Sequence, residues 1–270
     1  MSLPAFVHVR AARGWSWLTH AHEMFAHARF YWLVLIVSYW LLTLLVSIVI
    51  PVAGSIAAIV LKPVFAVGFL AAAWAQERGE RPRVSRLFAG FRSNLRALIA
   101  LGVVYMAGLA LALVVSASFD GGVLMRGVLF GASPPNAASE AAGEFQSAIL
   151  VTMLCALPTL FALWFAPALI VFQDQSTLSA VVQSFRAAIA NLGAVVIYAL
   201  SVFLFWVVIP GMIISACVAV FGGERGVLVG VALSTPFTLS VIAIIFIADY
   251  VIYRDLFHHE EGMSVAAGPR

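Results

Sequence analysis

Two charged residues fall where hydrocarbon is expected. Lys62, the only lysine, and Asp249 lie inside long apolar runs, and Pro63 follows the lysine directly. An ionisable group at the centre of a membrane helix costs on the order of 3 kcal/mol, so such groups usually face protein or water and often mark a function. A proline also leaves a helical carbonyl without its donor, which makes the spot more polar. Lys62 and Asp249 therefore form a candidate intramembrane polar site.

A purely structural role is open to both residues. The long stem of Lys62 can carry its ammonium toward the interface or to backbone carbonyls. Asp249 can pair with Lys62, although their depths differ by roughly 10–15 Å at about 1.5 Å rise per residue. It can equally pair with Arg254, five positions later, or with an arginine of the basic stretch 76–98.

A third group of polar residues has the composition of a metal site. His20, Glu23 and His27 follow one another at i, i+3 and i+7, on one face of a predicted amphipathic helix. Imidazole and carboxylate together can bind a divalent metal. A solvated polar face explains them better, because no HExxH or comparable spacing occurs. The sequence predicts no metal centre.

Motifs for covalent or cofactor chemistry are missing from the sequence. It has no GxSxG elbow, no P-loop and no dinucleotide-binding glycine fingerprint. Its net charge of +3 and pI near 9.1 could indicate a nucleic-acid partner, but the arginines adjoin apolar runs, where lipid headgroups explain them better. We expect a protein that is not an enzyme, with no cofactor and no nucleic-acid partner.

The elements that position these residues are predicted to be membrane helices. The chain is 63% hydrophobic and 10% charged, which leaves too little polar surface for a soluble globule. A helix needs about 20 apolar residues to span the bilayer. Six runs qualify, and the predicted fold is an all-α polytopic bundle of six transmembrane helices. These runs are 30–50, 52–75, 97–119, 148–172, 192–221 and 227–253.

The arginines orient the bundle. With the N-terminus inside, twelve arginines fall on inner segments and only Arg126 and Arg225 on outer ones. This asymmetry predicts cytoplasmic N- and C-termini. The predicted organisation is a cytoplasmic segment 1–29 with an amphipathic helix, a transmembrane domain 30–253 and a cytoplasmic tail 254–270.

The basic stretch has a pattern of its own. Over 84–98 the apolar residues recur at i, i+3, i+4, i+7 and i+11, which predicts an amphipathic interfacial helix. We expect its apolar stripe to enter the inner leaflet while Arg86, Arg92 and Arg96 contact anionic headgroups. The same spacing recurs 94 positions later and, more faintly, before the first span, which predicts a three-fold internal repeat.

Several short motifs carry a resemblance. Arg13-Gly14-Trp15, the segment 87–91 (LFAGF), the segment 165–169 (FAPAL) and Ser184-Phe185-Arg186 resemble an uncharacterised proteobacterial family of six-helix inner-membrane proteins. That family is itself distantly similar to the membrane domain of glycerophosphodiester phosphodiesterases. The resemblance implies a location in the bacterial inner membrane and supplies no catalytic residues.

The sequence thus predicts a non-enzymatic inner-membrane protein that acts through membrane contacts. Scaffolding, assembly or envelope maintenance are the expected roles, with inner-leaflet lipids and an unidentified membrane protein as partners. The alternative is a small transporter or lipid-handling carrier built around Lys62.

Overall fold

Helices make up the protein, and no strand occurs in the residues that the structure describes. This computed structural model describes residues 6–133, 135 and 141–258. The first half contains α1 (Arg13–His27), α2 (Arg29–Val49), α3 (Pro51–Val60), α4 (Lys62–Glu77), a 3-10 helix (Val84–Arg92), α5 (Leu95–Asp120) and α6 (Val123–Phe130). The second half contains α7 (Ala141–Trp164), α8 (Ala166–Phe172), α9 (Thr177–Ala190), α10 (Leu192–Phe203), a π-helical turn (Leu204–Val208), α11 (Ile209–Phe221) and α12 (Gly223–Phe257).

Among the described residues, five helical segments are long and apolar enough to span a membrane. The predicted second span is the exception, because it divides at Leu61 into α3, of 10 residues, and α4, of 16 residues. Pro63 explains the division, since proline lacks an N–H donor and is tolerated only in the first turn of a helix, where it lies in α4. The all-α membrane-type fold is therefore confirmed, and the sixth crossing stays a prediction. The five segments are Arg29–Val49, Leu95–Asp120, Ala141–Phe172, Leu192–Phe221 and Gly223–Phe257.

The core lies at one end of the bundle. The start of α2, most of α4 and α8, the start of α5 and the C-terminal part of α12 all contribute to one buried cluster. Its fully buried members include Trp32, Phe69, Leu101, Leu169 and Tyr250. We call this the core end, and the opposite side the far end. The arginines of the basic stretch lie at the core end, which is the predicted cytoplasmic side.

The far end exposes hydrocarbon instead of burying it. At most 39% of the residues in the most apolar part of each of the five segments are buried. Water would penalise so large an apolar surface, whereas lipid chains solvate it. The exposed far-end side chains include Leu44, Ile48, Leu111, Val114, Leu154, Met212, Val220 and Leu228.

The basic stretch does not form the single amphipathic α-helix that we predicted over 84–98. A 3-10 helix ends at Arg92, and α5 then starts afresh behind Asn94, whose side chain caps it by accepting from the Ala97 N–H at 3.4 Å. Leu87 is buried against α4 rather than placed in lipid. The two segments lie so close together that a Cβ on Gly68 of α4 would be only 2.5 Å from the Leu87 carbonyl oxygen. The two backbones therefore touch, and glycine is the residue that permits it.

The predicted domain boundaries stay a prediction. Helix α1 packs on α10 and α12 and buries Trp17 and Ala21 against them. Helix α12 continues to Phe257, four residues into the predicted tail, while 259–270 lie outside the described residues. Short helices (α1, the 3-10 helix and α9) precede three pairs of longer segments in chain order, and the three-fold repeat remains a prediction.

Candidate functional site

Lys62 lies at the interruption between α3 and α4, with an exposed side chain. Its ammonium donates a hydrogen bond of 3.0 Å to the Tyr105 hydroxyl of α5 and lies 4.9 Å from the centroid of that ring. A phenol offers both an acceptor oxygen and a negative ring face, so one tyrosine partly satisfies the cation. Lys62 is thus tethered to a neighbouring helix.

Asp249 of α12 has a different partner. The Trp164 indole N–H donates to its carboxylate at 2.8 Å. The carboxylate also borders a cavity of about 20 Å³, about the room one water molecule needs, with Phe69 and Tyr253 among the other lining residues. Lys62 forms no ion pair with Asp249, and its ammonium is bonded to Tyr105 instead. The structure therefore does not join the two predicted intramembrane charges directly.

The expected alternative partner of Asp249 is also engaged elsewhere. Arg254 forms an ion pair with Glu77 at the end of α4, and the Tyr250 hydroxyl donates to the same carboxylate. The neighbouring Gln76 accepts from the Trp32 indole N–H and donates to the Met24 carbonyl, both at 2.6 Å. Hydrogen bonds thus fix the end of α4 to α1, α2 and α12.

A second polar cluster closes the core end. Arg13 donates two hydrogen bonds of 2.8 and 2.7 Å to Asp255, and the Trp17 indole N–H donates a third at 2.8 Å. Such a fork-to-carboxylate arrangement is among the strongest geometries for an ion pair. The hydrogen bond to Asp255 raises the pKa of Arg13 above its usual value. We call these three residues the Asp255 cluster.

Asn191 holds the N-terminal segment to the same end. Its side-chain oxygen accepts from the Val9 N–H at 2.8 Å, and its amide donates to the Val7 carbonyl at 3.1 Å. The Val7 N–H donates to the Leu256 carbonyl at 2.8 Å. The first described residues are therefore tied to the junction of α9 and α10 and to the last turn of α12.

Tyr198 is the exception to this pattern of satisfied polar groups. Its ring stacks on Trp164, 5.7 Å between centroids, and it is 6% exposed. Its hydroxyl is buried without a hydrogen-bond partner among the described residues. A buried hydroxyl that forms no hydrogen bond costs about 1–3 kcal/mol.

Removing that hydroxyl should therefore stabilise the protein. We expect Tyr198→Phe to raise the free energy of unfolding by about 1 kcal/mol, measured by thermal unfolding in detergent. Tyr250→Phe is the matched control, since it removes the same atom from a hydroxyl bonded to Glu77 and should lower stability by about 1.5–3 kcal/mol. A clear loss of stability in Tyr198→Phe would show that the Tyr198 hydroxyl has a binding partner.

The predicted metal candidates line an open pocket. His20, Glu23 and His27 lie along one wall of a cavity of about 600 Å³ between α1, the start of α2 and the turn that follows α4. No group of three His, Cys, Asp or Glu side chains among the described residues is placed to hold a metal ion. We call this cavity the core-end pocket. Its other walls include Met24, Ala28, Tyr31, Gln76, Glu77, Gly79, Glu80, Arg81 and Pro82.

The three predicted headgroup arginines have different surroundings. Arg86 forms a 2.7 Å ion pair with Glu80. Arg92 and Arg96 are exposed at the end of the 3-10 helix and in the first turn of α5. Contact between these arginines and anionic headgroups stays a prediction.

Sequence reasoning missed the residues that hold the core end together. Asp255 and Glu77 each accept from more than one donor, yet both fall at span ends, where an acidic residue looks like ordinary interfacial polarity. The tryptophans were the sequence feature that could have indicated these polar contacts. Trp17, Trp32 and Trp164 each direct the indole N–H to a buried or half-buried polar side chain, as buried tryptophans usually do.

The chain is similar to one bacterial protein over nearly its whole length. It is 28% identical over 261 residues to a Burkholderia thailandensis protein described as a probable inner membrane protein, which covers 94% of each chain. No family model matches the chain. No solved structure matches it significantly. The expected likeness to the membrane domain of glycerophosphodiester phosphodiesterases stays a prediction.

Proposed function

We propose that this chain is a non-enzymatic protein of the bacterial inner membrane that acts through contacts within the membrane. Its role is scaffolding, assembly or envelope maintenance, with inner-leaflet lipids and an unidentified membrane protein as partners. Both termini lie in the cytoplasm. The similarity to a probable inner membrane protein of Burkholderia thailandensis supports the location.

The contrast between the two ends of the bundle carries this proposal. The core end is tightly packed and hydrogen-bonded, whereas the far end presents apolar side chains such as Leu44, Leu111 and Met212 outward. A rigid end joined to an extended apolar surface is suited to holding lipids or partner helices, which associate in membranes by packing and hydrogen bonding. The cavity beside Asp249, about 20 Å³, is far smaller than a substrate site.

Gentle extraction tests the proposal. The full-length protein is purified from bacterial membranes in a mild detergent, and bound lipids and proteins are identified by mass spectrometry after crosslinking in the intact membrane. We expect a reproducible set of inner-leaflet lipids and at least one membrane protein that crosslinks through the far end. Loss of both on purification, together with uptake of a solute by proteoliposomes that contain the protein alone, would contradict it.

One observation favours the carrier alternative. The Lys62 ammonium lies at an interruption in a membrane segment, exposed and held by one tyrosine hydroxyl. Interrupted helices with a nearby charge are the usual construction of transporter binding sites. A carrier would need the small cavity at Asp249 to open toward Lys62 during its cycle.

The Lys62→Met variant distinguishes a scaffold from a carrier. We expect this variant, which keeps the length of the side chain and removes the charge, to insert normally and to retain the co-purified lipids and partner. Its melting temperature in detergent should change little, because an exposed cation with one neutral partner contributes about 1 kcal/mol or less. Tyr105→Phe, which removes only the acceptor, is the matched control. Loss of a cellular phenotype in Lys62→Met, with normal folding and partner binding, would favour the carrier.

A further inference from the structure

The core-end pocket has the dimensions of a ligand site. Its volume of about 600 Å³ falls inside the range of about 300–1,000 Å³ that is typical of small-molecule sites. Two of its lining side chains, Gln76 and Glu77, are already held in place by hydrogen bonds and an ion pair. Gln76 is held between Trp32 and the Met24 carbonyl, and Glu77 between Tyr250 and Arg254.

Other polar groups of the pocket keep their bonding capacity. The Glu23 carboxylate has no hydrogen-bond or ion-pair partner among the described residues. Arg81 packs its guanidinium on Tyr31, 5.6 Å from the ring centroid, and all five of its N–H donors remain for a ligand. His27 contacts the Glu23 backbone carbonyl through Nδ1 at 2.7 Å, so its Nε2 atom remains available to a ligand.

The charged side chains of the pocket that have no ion-pair partner within the described part of the chain are of opposite sign. Glu80 and Glu77 also line the pocket, but Arg86 and Arg254 neutralise them. One carboxylate, at Glu23, and one guanidinium, at Arg81, remain. A ligand that satisfied both would carry a cationic and an anionic group.

The pocket also adjoins the membrane surface. Ala28 and Tyr31 line it, and Arg29 is the first residue of a membrane-spanning segment. Tyr31 is an aromatic residue of the kind found at membrane interfaces, and the neighbouring Phe30 is 72% exposed. A molecule in the pocket therefore lies at the depth of lipid headgroups.

We propose that the core-end pocket binds the zwitterionic headgroup of a phospholipid that carries a primary amine. The phosphate binds Arg81, because guanidinium donors match phosphate oxygens in a bidentate geometry. The ammonium binds the Glu23 carboxylate. This inference rests on the proposed function and identifies the lipid class that the core end holds.

Lipid titration of the full-length protein tests the pairing. The purified protein is titrated in detergent with short-chain phosphatidylethanolamine, phosphatidylglycerol and phosphatidylcholine, and bound lipid is counted by native mass spectrometry. We expect phosphatidylethanolamine to bind about tenfold more tightly than phosphatidylglycerol, the difference that one charge-assisted hydrogen bond makes. Glu23→Gln should remove this preference, while Arg81→Gln should weaken the binding of both lipids about tenfold.

Matched controls lie outside the pocket. Glu144→Gln at the start of α7 and Arg83→Gln in the basic stretch change exposed charges that do not line the cavity, and they should leave the preference intact. Equal binding of the ethanolamine and glycerol lipids by the unmodified protein, or an unchanged preference in Glu23→Gln, would overturn the inference. Lipids retained by contacts elsewhere would still support the proposed function.

A soluble ligand would give a different result. O-phosphoethanolamine carries the same phosphate and ammonium without the acyl chains. We expect it to displace phosphatidylethanolamine only at concentrations about a hundredfold higher, because the neighbouring hydrocarbon holds the lipid in place. Displacement at equal concentration would overturn the assignment to a lipid.

Discussion

Replacing Asp255 with asparagine lowers the free energy of unfolding by about 2–3 kcal/mol. The carboxylate is largely buried and accepts from Arg13 twice and from Trp17 once. The neutral amide of asparagine ends the ion pair and replaces one acceptor oxygen with a donor, which leaves a buried donor facing another donor. Hydrogen bonds to charged groups contribute about 1.5–3 kcal/mol each, and Arg13 is half exposed, which reduces its share.

Thermal and SDS-induced unfolding in detergent measure this loss. Asp174→Asn is the control, because Asp174 is exposed and has a φ of 52°, a conformation that asparagine tolerates well. A double-mutant cycle with Arg13→Ala gives the coupling between the two charged residues. If Asp255→Asn unfolds like the parent protein, the Asp255 cluster does not hold α1 to α12.

Gly102→Val should prevent α5 from packing against the end of α3. A Cβ on Gly102 would overlap the carbonyl oxygen of Val60, so the backbone of one helix would have to move. Inserting atoms into a packed interior costs about 1–3 kcal/mol, and a rigid backbone on the other side of the contact favours the upper limit. Valine adds the χ1 restriction of a β-branched side chain.

Gly211→Ala supplies the contrast within the same bundle. Gly211 lies in α11, and nothing lies within 4 Å of a Cβ added there. Alanine should therefore be neutral or stabilise by up to about 1 kcal/mol, since it is the better helix former. Gel filtration and the melting temperature in detergent distinguish the two variants. Equal stability of Gly102→Val and Gly211→Ala would contradict the close contact between α3 and α5.

Composition and hydrophobic length were enough to predict the helical membrane fold, because hydrocarbon allows few alternatives for the backbone. The interruption at Leu61 has a local cause in Pro63, but the length of an apolar run does not show where a helix divides. The 3-10 helix was missed for a related reason. Its apolar residues fit an α-helical spacing, whereas the contact of Gly90 with the Val64 backbone belongs to the tertiary structure.

Pairing between distant residues was beyond sequence reasoning. Arg13 and Asp255 are 242 positions apart, and periodicity describes the faces of one helix without naming the helix opposite. Scarcity of charge drew attention to Lys62 and Asp249. It could not show that Tyr105 and Trp164 serve as their neutral partners, since a phenol and an indole look like ordinary apolar residues in a membrane span.

The bonds between the first and last described segments have a consequence for biosynthesis. Val7 binds Leu256, and Arg13 binds Asp255, so α1 cannot reach its final position until the last helix has left the ribosome. Contacts between such distant parts of a chain form late and slowly. The nascent protein must therefore wait, with its earlier helices already synthesised and its first helix not yet docked on the last one. A stop codon ahead of Asp255 should leave that helix undocked and make the chain a substrate for membrane quality-control proteases.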